Sequence, residues 1–159
     1  MKKIQRTSAT TLAIIAGVGA VIGVGARPAI ESLEGIAPTV GWGPGLALAL
    51  GAGVLGVLAR STHVALKKDK RTMYAARGMR LLALAKASAV VGVFFAGAYG
   101  GYALAFVDAF NSPFGRDRVI HSVFAAIMAI VFTIAALFLE RALQIPDDED
   151  GAIEQANLA

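Results

Sequence analysis

The sequence predicts an all-α protein whose chain crosses a membrane four times. Four stretches contain no Lys, Arg, Asp or Glu, namely residues 7–26, 35–59, 87–107 and 119–139. Each is 20 to 25 residues long, and a helix needs about 20 mainly apolar residues to cross the roughly 30 Å of hydrocarbon in a bilayer. The charges lie between these stretches, whereas each helix of a soluble bundle would carry a polar face.

Composition limits the chemistry that the chain can perform. Of its 159 residues, 57% are hydrophobic and none is cysteine, so disulfides, thiolate metal sites and iron–sulfur clusters are excluded. The net charge of +4 arises from basic residues that flank the apolar stretches and do not alternate with aromatic ones, so we expect no nucleic-acid partner. We also expect no metal and no cofactor, because His63 and His121 are predicted to lie on opposite sides of the membrane.

The basic residues are distributed unequally across the predicted membrane. Eleven of the 15 Lys and Arg residues precede the first stretch, lie between the second and third, or follow the fourth, whereas three lie on the other side and Lys86 lies inside the third helix. The positive-inside rule then predicts an antiparallel four-helix bundle with both termini in the cytoplasm. The central loop also offers candidate contacts for anionic lipid head groups, although topology alone explains the same charges. These candidates are Lys67, Lys68, Lys70 and Arg71.

The predicted spans cover residues 8–26, 43–59, 81–107 and 119–139 of a single domain, residues 1–145. Arg27-Pro28 is expected to end the first span, and Gly78 is expected to break any helix before the third. Trp42 is expected to anchor the second span at the outer interface or to pack within its loop. A turn composition at residues 111–115 separates the last two spans, and residues 146–159 form an acidic tail that is predicted to be disordered.

The first span has an alternative interpretation as a cleaved signal peptide, because Lys2 and Lys3 precede it and Ala26 ends a sequence of small residues. Its apolar stretch is longer than the 7–15 residues of a usual signal-peptide core. It also contains glycines that are spaced for packing against another helix. A retained helix is therefore the favoured interpretation.

Small residues recur at four-residue spacing along the third span and, more briefly, along the first. Such faces let two helix backbones approach closely, so that dispersion and weak Cα–H···O contacts hold the pair. Packing within the four-helix unit is the favoured interpretation, and docking onto a helix of another protein is the alternative. The predicted face comprises Ser88, Gly92, Ala96, Gly97, Gly100 and Gly101 of the third span, with Gly19 and Gly23 of the first.

Lys86 is the only charged residue inside a predicted span. A lysine near the start of a span can extend its ammonium group to the interface. Alternatively it forms an ion pair, the usual arrangement of charges within a bilayer. Glu140 ends the fourth span at the same membrane face, so the second interpretation predicts a Lys86–Glu140 pair that joins the third and fourth helices.

Two segments resemble a known family. Leu84-Ala85-Lys86-Ala87-Ser88-Ala89, followed by glycines at positions 92, 97 and 101, is similar to the third helix of small actinobacterial membrane proteins catalogued as domain of unknown function 3180. Leu139-Glu140-Arg141 and the later Pro146-Asp147-Asp148 resemble the end of that family. The resemblance implies a four-pass protein of the actinobacterial plasma membrane and no established activity. The family often has a cysteine soon after the Leu-Glu pair, which this sequence lacks.

The spans contain no Ser, His and Asp arrangement and no pair of carboxylates, so we predict a non-enzymatic protein. The leading hypothesis is an accessory or assembly subunit that docks onto other integral membrane subunits of a larger complex, such as a respiratory or quality-control complex. The alternative is a small-solute transporter or channel that acts as a homo-oligomer, and a lipid-binding role would need a pocket that the sequence does not indicate. The candidates for a polar path are Lys86, Ser88, Tyr99, Tyr102, His121, Ser122 and Thr133.

Overall fold

The computed structural model describes residues 8–32, 41–68 and 75–143, without the side chains of Glu31 and of residues 63–77. Within those ranges the chain forms four α-helices, α1 (Ala9–Ser32), α2 (Gly43–Lys68), α3 (Ala75–Ala105) and α4 (Pro113–Leu143). A short 3-10 turn, Val107–Ala109, separates α3 from α4. All four helices are long and apolar enough to cross a membrane, so the predicted four-pass, all-α fold is confirmed. The predicted acidic tail, residues 146–159, lies outside the described residues.

The helices are not arranged in chain order. Among the described residues, α1 packs against α3, α3 against α4, and α4 against α2, and no other pair of helices shares an extensive contact. The helices therefore form an open layer in the order α1–α3–α4–α2, with α1 and α2 at its edges. Contacts between helices show that α1 runs parallel to α3 and α2 parallel to α4, whereas α3 and α4 are antiparallel. Helices that follow one another in the chain are thus antiparallel, as predicted.

Two helix boundaries on α1 and α3 differ from the prediction. Pro28 lies inside α1, and its missing N–H deprives only one carbonyl group of its helical donor. The adjacent Arg27 donates a hydrogen bond from Nη1 to the carbonyl oxygen of Ala105 at 2.6 Å, which ties this end of α1 to α3. Gly78 lies inside α3, where a single glycine costs only about 1 kcal/mol relative to alanine. Neither residue breaks its helix.

Helix α4 begins earlier than the sequence predicts. It starts at Pro113, where the fixed φ and missing N–H of proline suit the first helical position. Ser112 precedes it, and its Oγ accepts a hydrogen bond from the N–H of Gly115 at 3.1 Å, as a helix N-cap does. The residues predicted to form a turn therefore include the first turn of α4.

Two buried clusters lie at opposite ends of the layer. The end with the α3–α4 turn, called the turn end below, contains Tyr102, Phe106 and Val119. The opposite end, called the terminal end, contains a cluster that joins α2, α3 and α4. Its members are Leu55, Ala85, Ala89, Ala136 and Leu139. The terminal end is therefore closed by side chains from three helices.

Candidate functional site

The interface between α1 and α3 joins backbone to backbone at four glycines. A Cβ atom at Gly19 or Gly23 of α1 would collide with a carbonyl oxygen of α3, and one at Gly97 or Gly101 of α3 would collide with a carbonyl oxygen of α1. The oxygens belong to Phe94, Ala98, Ala16 and Ala20, respectively. Reciprocal glycine contacts of this kind are typical of helix pairs in lipid. These four residues of the predicted small-residue face are brought together within the chain.

The remaining residues of the predicted face do not join that interface. Gly92 lies against α4, because a Cβ atom there would collide with Thr133 Oγ1 and with the Phe132 ring. No described atom outside the backbone of its own helix lies within 4 Å of the Cβ position of Gly100. Ser88 and Ala96 are half-buried. The structure therefore divides the predicted face between two neighbours of α3 and leaves part of it open.

At two glycines of α2, the nearest atoms of α4 belong to phenylalanine rings rather than to carbonyl groups. Gly45 of α2 lies against the ring of Phe124, and Gly51 lies against the ring of Phe132. Because the Phe132 ring also reaches Gly92 of α3, this single side chain of α4 separates α2 from α3.

A seam of small residues along α4 was not among the predicted faces. Its 3-and-4 spacing, typical of one helix face, was the available signal. Thr133 Oγ1 donates to the carbonyl oxygen of Ala129 at 2.8 Å, whereas the fully buried Ser122 Oγ has no hydrogen-bond partner among the described residues. The buried members of the seam are Gly115, Val119, Ser122, Ala125, Ala129, Thr133 and Ala136.

Lys86 and Glu140 lie at the terminal end of the layer. Glu140 is only 3% exposed, and Lys86 is half-buried. Each follows a member of the same buried cluster, Ala85 on α3 and Leu139 on α4. The fold therefore places both charges at the same end of the α3–α4 interface, and their pairing stays a prediction.

Two arginines lie close to one aromatic ring at the turn end. The sequence indicated these arginines only as topology signals. The guanidinium carbons of Arg27 and Arg118 each lie 5.3 Å from the centre of the Phe106 ring. The Tyr102 ring packs against Phe106 with 4.8 Å between ring centres. Cationic groups over an aromatic face are attracted by its quadrupole. This cluster, called the arginine cluster below, joins α1, α3 and α4.

Trp42 packs against α4 and is also half exposed. Its ring meets His121 edge-on with 4.5 Å between centres, and it meets Phe124 at 5.1 Å. His121 Nδ1 lies 2.7 Å from the carbonyl oxygen of Asp117, so this nitrogen donates the hydrogen bond. Trp42 is 52% exposed, which leaves one side of the indole toward the surroundings.

Of the polar residues considered for a transport path, those whose contacts are described lie in separate places. Tyr102 belongs to the arginine cluster, and His121 lies on the side of α4 that faces α2. Thr133 bonds its own helix, and Lys86 lies at the terminal end. Within the described residues no group of three or more His, Cys, Asp or Glu is placed to hold a metal ion. The side chains of the predicted lipid contacts Lys67, Lys68, Lys70 and Arg71 lie outside the description.

An apolar groove lies between α2 and α3 in the half of the layer nearer the turn end. Its floor is the ring of Phe132, and its volume is about 320 Å³. The walls are Pro44, Ala47 and Leu48 of α2 with Phe95 and Tyr99 of α3. In the sequence, the groove is indicated only by the four-residue spacing of Phe95 and Tyr99 along α3.

Four apolar helices of spanning length define a multi-pass integral membrane protein. The chain belongs to the family described as protein of unknown function (DUF3180), whose model matches residues 12–147. The resemblance found in the third and fourth spans is thereby confirmed. No curated protein and no solved structure matches the chain.

Proposed function

We propose that this protein is a non-enzymatic accessory or assembly subunit of a larger complex in the plasma membrane, with both termini in the cytoplasm. The observation that best supports the proposal is the open layer, because α1 and α2 each have one extensive helix neighbour in the described structure. Large apolar side chains on both edge helices point outward, including Val21 and Leu50, each 74% exposed. Other integral membrane subunits are the partners proposed for these edges.

The docking surface differs from the one that the sequence suggested. Gly19, Gly23, Gly97 and Gly101 contact backbone within the chain, so a second helix has no access to them. Glycines with open space remain on the edge helices, where small residues permit close approach of a partner helix. They are Gly17 and Gly25 on α1 and Gly53 and Gly56 on α2.

The test is purification of the tagged full chain from its native membranes in a mild detergent, followed by mass spectrometry and a size measurement. A stoichiometric membrane-protein partner is expected. Gly17→Leu or Gly53→Leu, which adds bulk on an edge, should reduce its recovery. Gly100→Leu is the matched control, because it adds the same side chain at an open position on the central helix α3. Recovery of the chain alone, as a monomer or homo-oligomer, would contradict the proposal.

Transport by a homo-oligomer is the second hypothesis, and no described observation favours it. A solute path needs polar groups that line one continuous cavity, and the described polar side chains lie in separate places. Contacts of the basic residues 67–71 with anionic lipid head groups remain a further proposal, based on their charge alone.

We also propose that Lys86 and Glu140 form an ion pair that locks α3 to α4. Removing one partner of a buried pair leaves an uncompensated charge. Lys86→Glu and Glu140→Lys should therefore each lower the level of folded protein in the membrane. The double exchange should restore that level, measured by quantitative blotting. Failure of the double exchange to restore it would support extension of Lys86 to the interface instead.

A further inference from the structure

The groove described above opens on one broad surface of the layer. On α3, the residues that meet α1 (Gly97 and Gly101) and those that meet α4 (Ala89 and Gly92) are centred about 130° apart at 100° per residue. Phe95 and Tyr99 project from the wider of the two arcs between these sets. The groove is therefore accessible from the apolar surroundings of the helices rather than enclosed within the layer.

The groove side of α3 continues to the arginine cluster. Phe95, Tyr99 and Tyr102 fall within about 60° of one another around α3, and the Phe95 and Tyr99 rings stack with 6.0 Å between centres. Tyr102 lies about 5 Å beyond Tyr99 along the axis, at 1.5 Å per residue, and its ring packs against Phe106, which follows the end of α3. Arg118 lies 14 residues before Phe132, nearly four turns, and so projects from the same side of α4 as the groove floor.

The dimensions of the groove limit its occupant. An α-helix with side chains is about 10–12 Å across, so a cleft of about 320 Å³ is too small for a partner helix. It lies at the lower limit of small-molecule sites, and five of its six lining residues are apolar. A single hydrocarbon chain has the required width and is supplied by the bilayer itself.

The charges at the turn end define the other part of the ligand. The two guanidinium carbons each lie 5.3 Å from the centre of the same ring, which concentrates two positive charges beyond the groove, toward the turn end. A guanidinium matches phosphate geometry and carries five N–H donors, enough to bind a phosphate in addition to neighbouring protein groups. The phenol of Tyr99, at the groove wall, is an amphipathic group suited to the depth between phosphate and hydrocarbon.

We propose that this groove binds one acyl chain of an anionic phospholipid, whose phosphate contacts Arg27 and Arg118. The site is distinct from the basic cytoplasmic loop, because it lies at the opposite end of the spans. It does not depend on the subunit hypothesis, since a chain with or without protein partners presents the same groove.

Native mass spectrometry of the full chain tests the site, with phosphatidylglycerol and phosphatidylcholine as the two probes. One phosphatidylglycerol should stay bound under conditions that remove phosphatidylcholine. Ala47→Trp should abolish that binding by filling the groove. Leu46→Trp places the same ring at the same depth but 100° around α2, so the lipid should stay bound.

Arg118→Gln should lower the preference for the anionic lipid about tenfold, as expected for loss of a charge-assisted hydrogen bond. Arg116→Gln, an equal change of charge at an exposed position, should leave it unchanged.

A second measurement uses the unaltered protein. Trp42 is the only tryptophan and lies two residues before the groove wall at Pro44, so brominated lipid in the groove should quench its fluorescence. Brominated phosphatidylglycerol should quench at lower concentration than brominated phosphatidylcholine. Equal quenching by both lipids, or equal lipid retention by Ala47→Trp and Leu46→Trp, would overturn the proposal and indicate only the non-specific lipid around any membrane protein.

Discussion

The α1–α3 and α2–α4 interfaces are both parallel helix pairs that use glycine, yet the glycines contact different atoms. Gly97 and Gly101 lie on carbonyl oxygens of α1, whereas Gly45 and Gly51 lie on the rings of Phe124 and Phe132. Backbone carbonyls are fixed by their own helix, but a phenylalanine ring can change rotamer. An added methyl group between α1 and α3 therefore requires a helix to move, whereas between α2 and α4 a side chain can move instead.

The same difference explains where the groove lies. The glycines of the first pair allow α1 and α3 to touch along their backbones, which leaves no space between them. The rings of the second pair hold α2 on α4 at the distance that a phenyl group requires. Since the Phe132 ring also reaches α3, it sets the floor of the cleft between α2 and α3. Glycines that contact backbone therefore leave no space between α1 and α3, whereas glycines that contact phenylalanine rings leave a groove between α2 and α3.

The largest expected effect comes from the α1–α3 interface, where glycines contact backbone. Gly97→Ala places a methyl group on the Ala16 carbonyl, and overpacking of this kind costs about 1–3 kcal/mol. A gain in helix propensity of about 1 kcal/mol offsets part of that cost. Thermal unfolding in a mild detergent should therefore show a lower midpoint for Gly97→Ala. Gly100→Ala is the control, because its Cβ meets open space, and its midpoint should be unchanged or higher. Equal midpoints for the two variants would mean that α1 and α3 do not touch along their backbones.

A smaller loss is expected from the aromatic interface. Phe132→Ala removes the ring that contacts both α2 and α3, and the free energy of unfolding should fall by about 1 kcal/mol, less than the net loss of up to about 2 kcal/mol at Gly97. This lies below the 3–5 kcal/mol typical of buried phenylalanines in soluble proteins, because lipid replaces the lost contact and no hydrophobic term is added. Phe138→Ala, at a position 59% exposed, should change the unfolding midpoint little. A loss at Phe132 greater than that at Gly97 would reverse the ranking of the two interfaces.

Spans and partners were predictable from the sequence to different degrees. The four helices followed from runs without charge, since hydrocarbon admits no unpaired charge at low cost. The pairing of Gly19 and Gly23 with glycines of α3 also agreed with a spacing visible in the sequence. The order α1–α3–α4–α2 could not be predicted from the sequence. Every span is apolar on all sides, so periodicity does not distinguish the side that faces lipid from the side that faces another helix.

Local sequence signals were also poor guides where contacts between helices determine the structure. Pro28 predicts the end of a helix, but α1 continues past it, and the hydrogen bond from Arg27 to Ala105 attaches this part of α1 to α3. Arg27 and Arg118 were counted only as charges on the outer side, because their shared contact with Phe106 joins positions 27, 106 and 118 of the chain. Contacts of such long sequence separation leave no periodic pattern.

A third substitution sharpens the contrast between the interfaces. Gly51→Ala adds a methyl group against atoms of the Phe132 ring, and this ring can rotate away at low cost. We expect the unfolding midpoint to change by less than half of the shift caused by Gly97→Ala, although both variants make the same chemical change in a helix of similar length. A loss at Gly51 as large as that at Gly97 would show that the ring is as rigid as a backbone.

The smallest expected effect lies in the seam of small residues on α4, outside the glycine contacts of the two compared interfaces. Ser122 Oγ is fully buried without a hydrogen-bond partner in the described part of the chain, so Ser122→Ala removes a polar atom whose desolvation no described contact offsets. The free energy of unfolding should stay constant or rise by about 1 kcal/mol. Thr133→Val is the matched contrast, because Thr133 Oγ1 donates to the Ala129 carbonyl and the change should lower stability slightly. If Ser122→Ala instead lowers the unfolding midpoint, this hydroxyl has a partner in the membrane, and the seam between α3 and α4 contains a bound water or ligand.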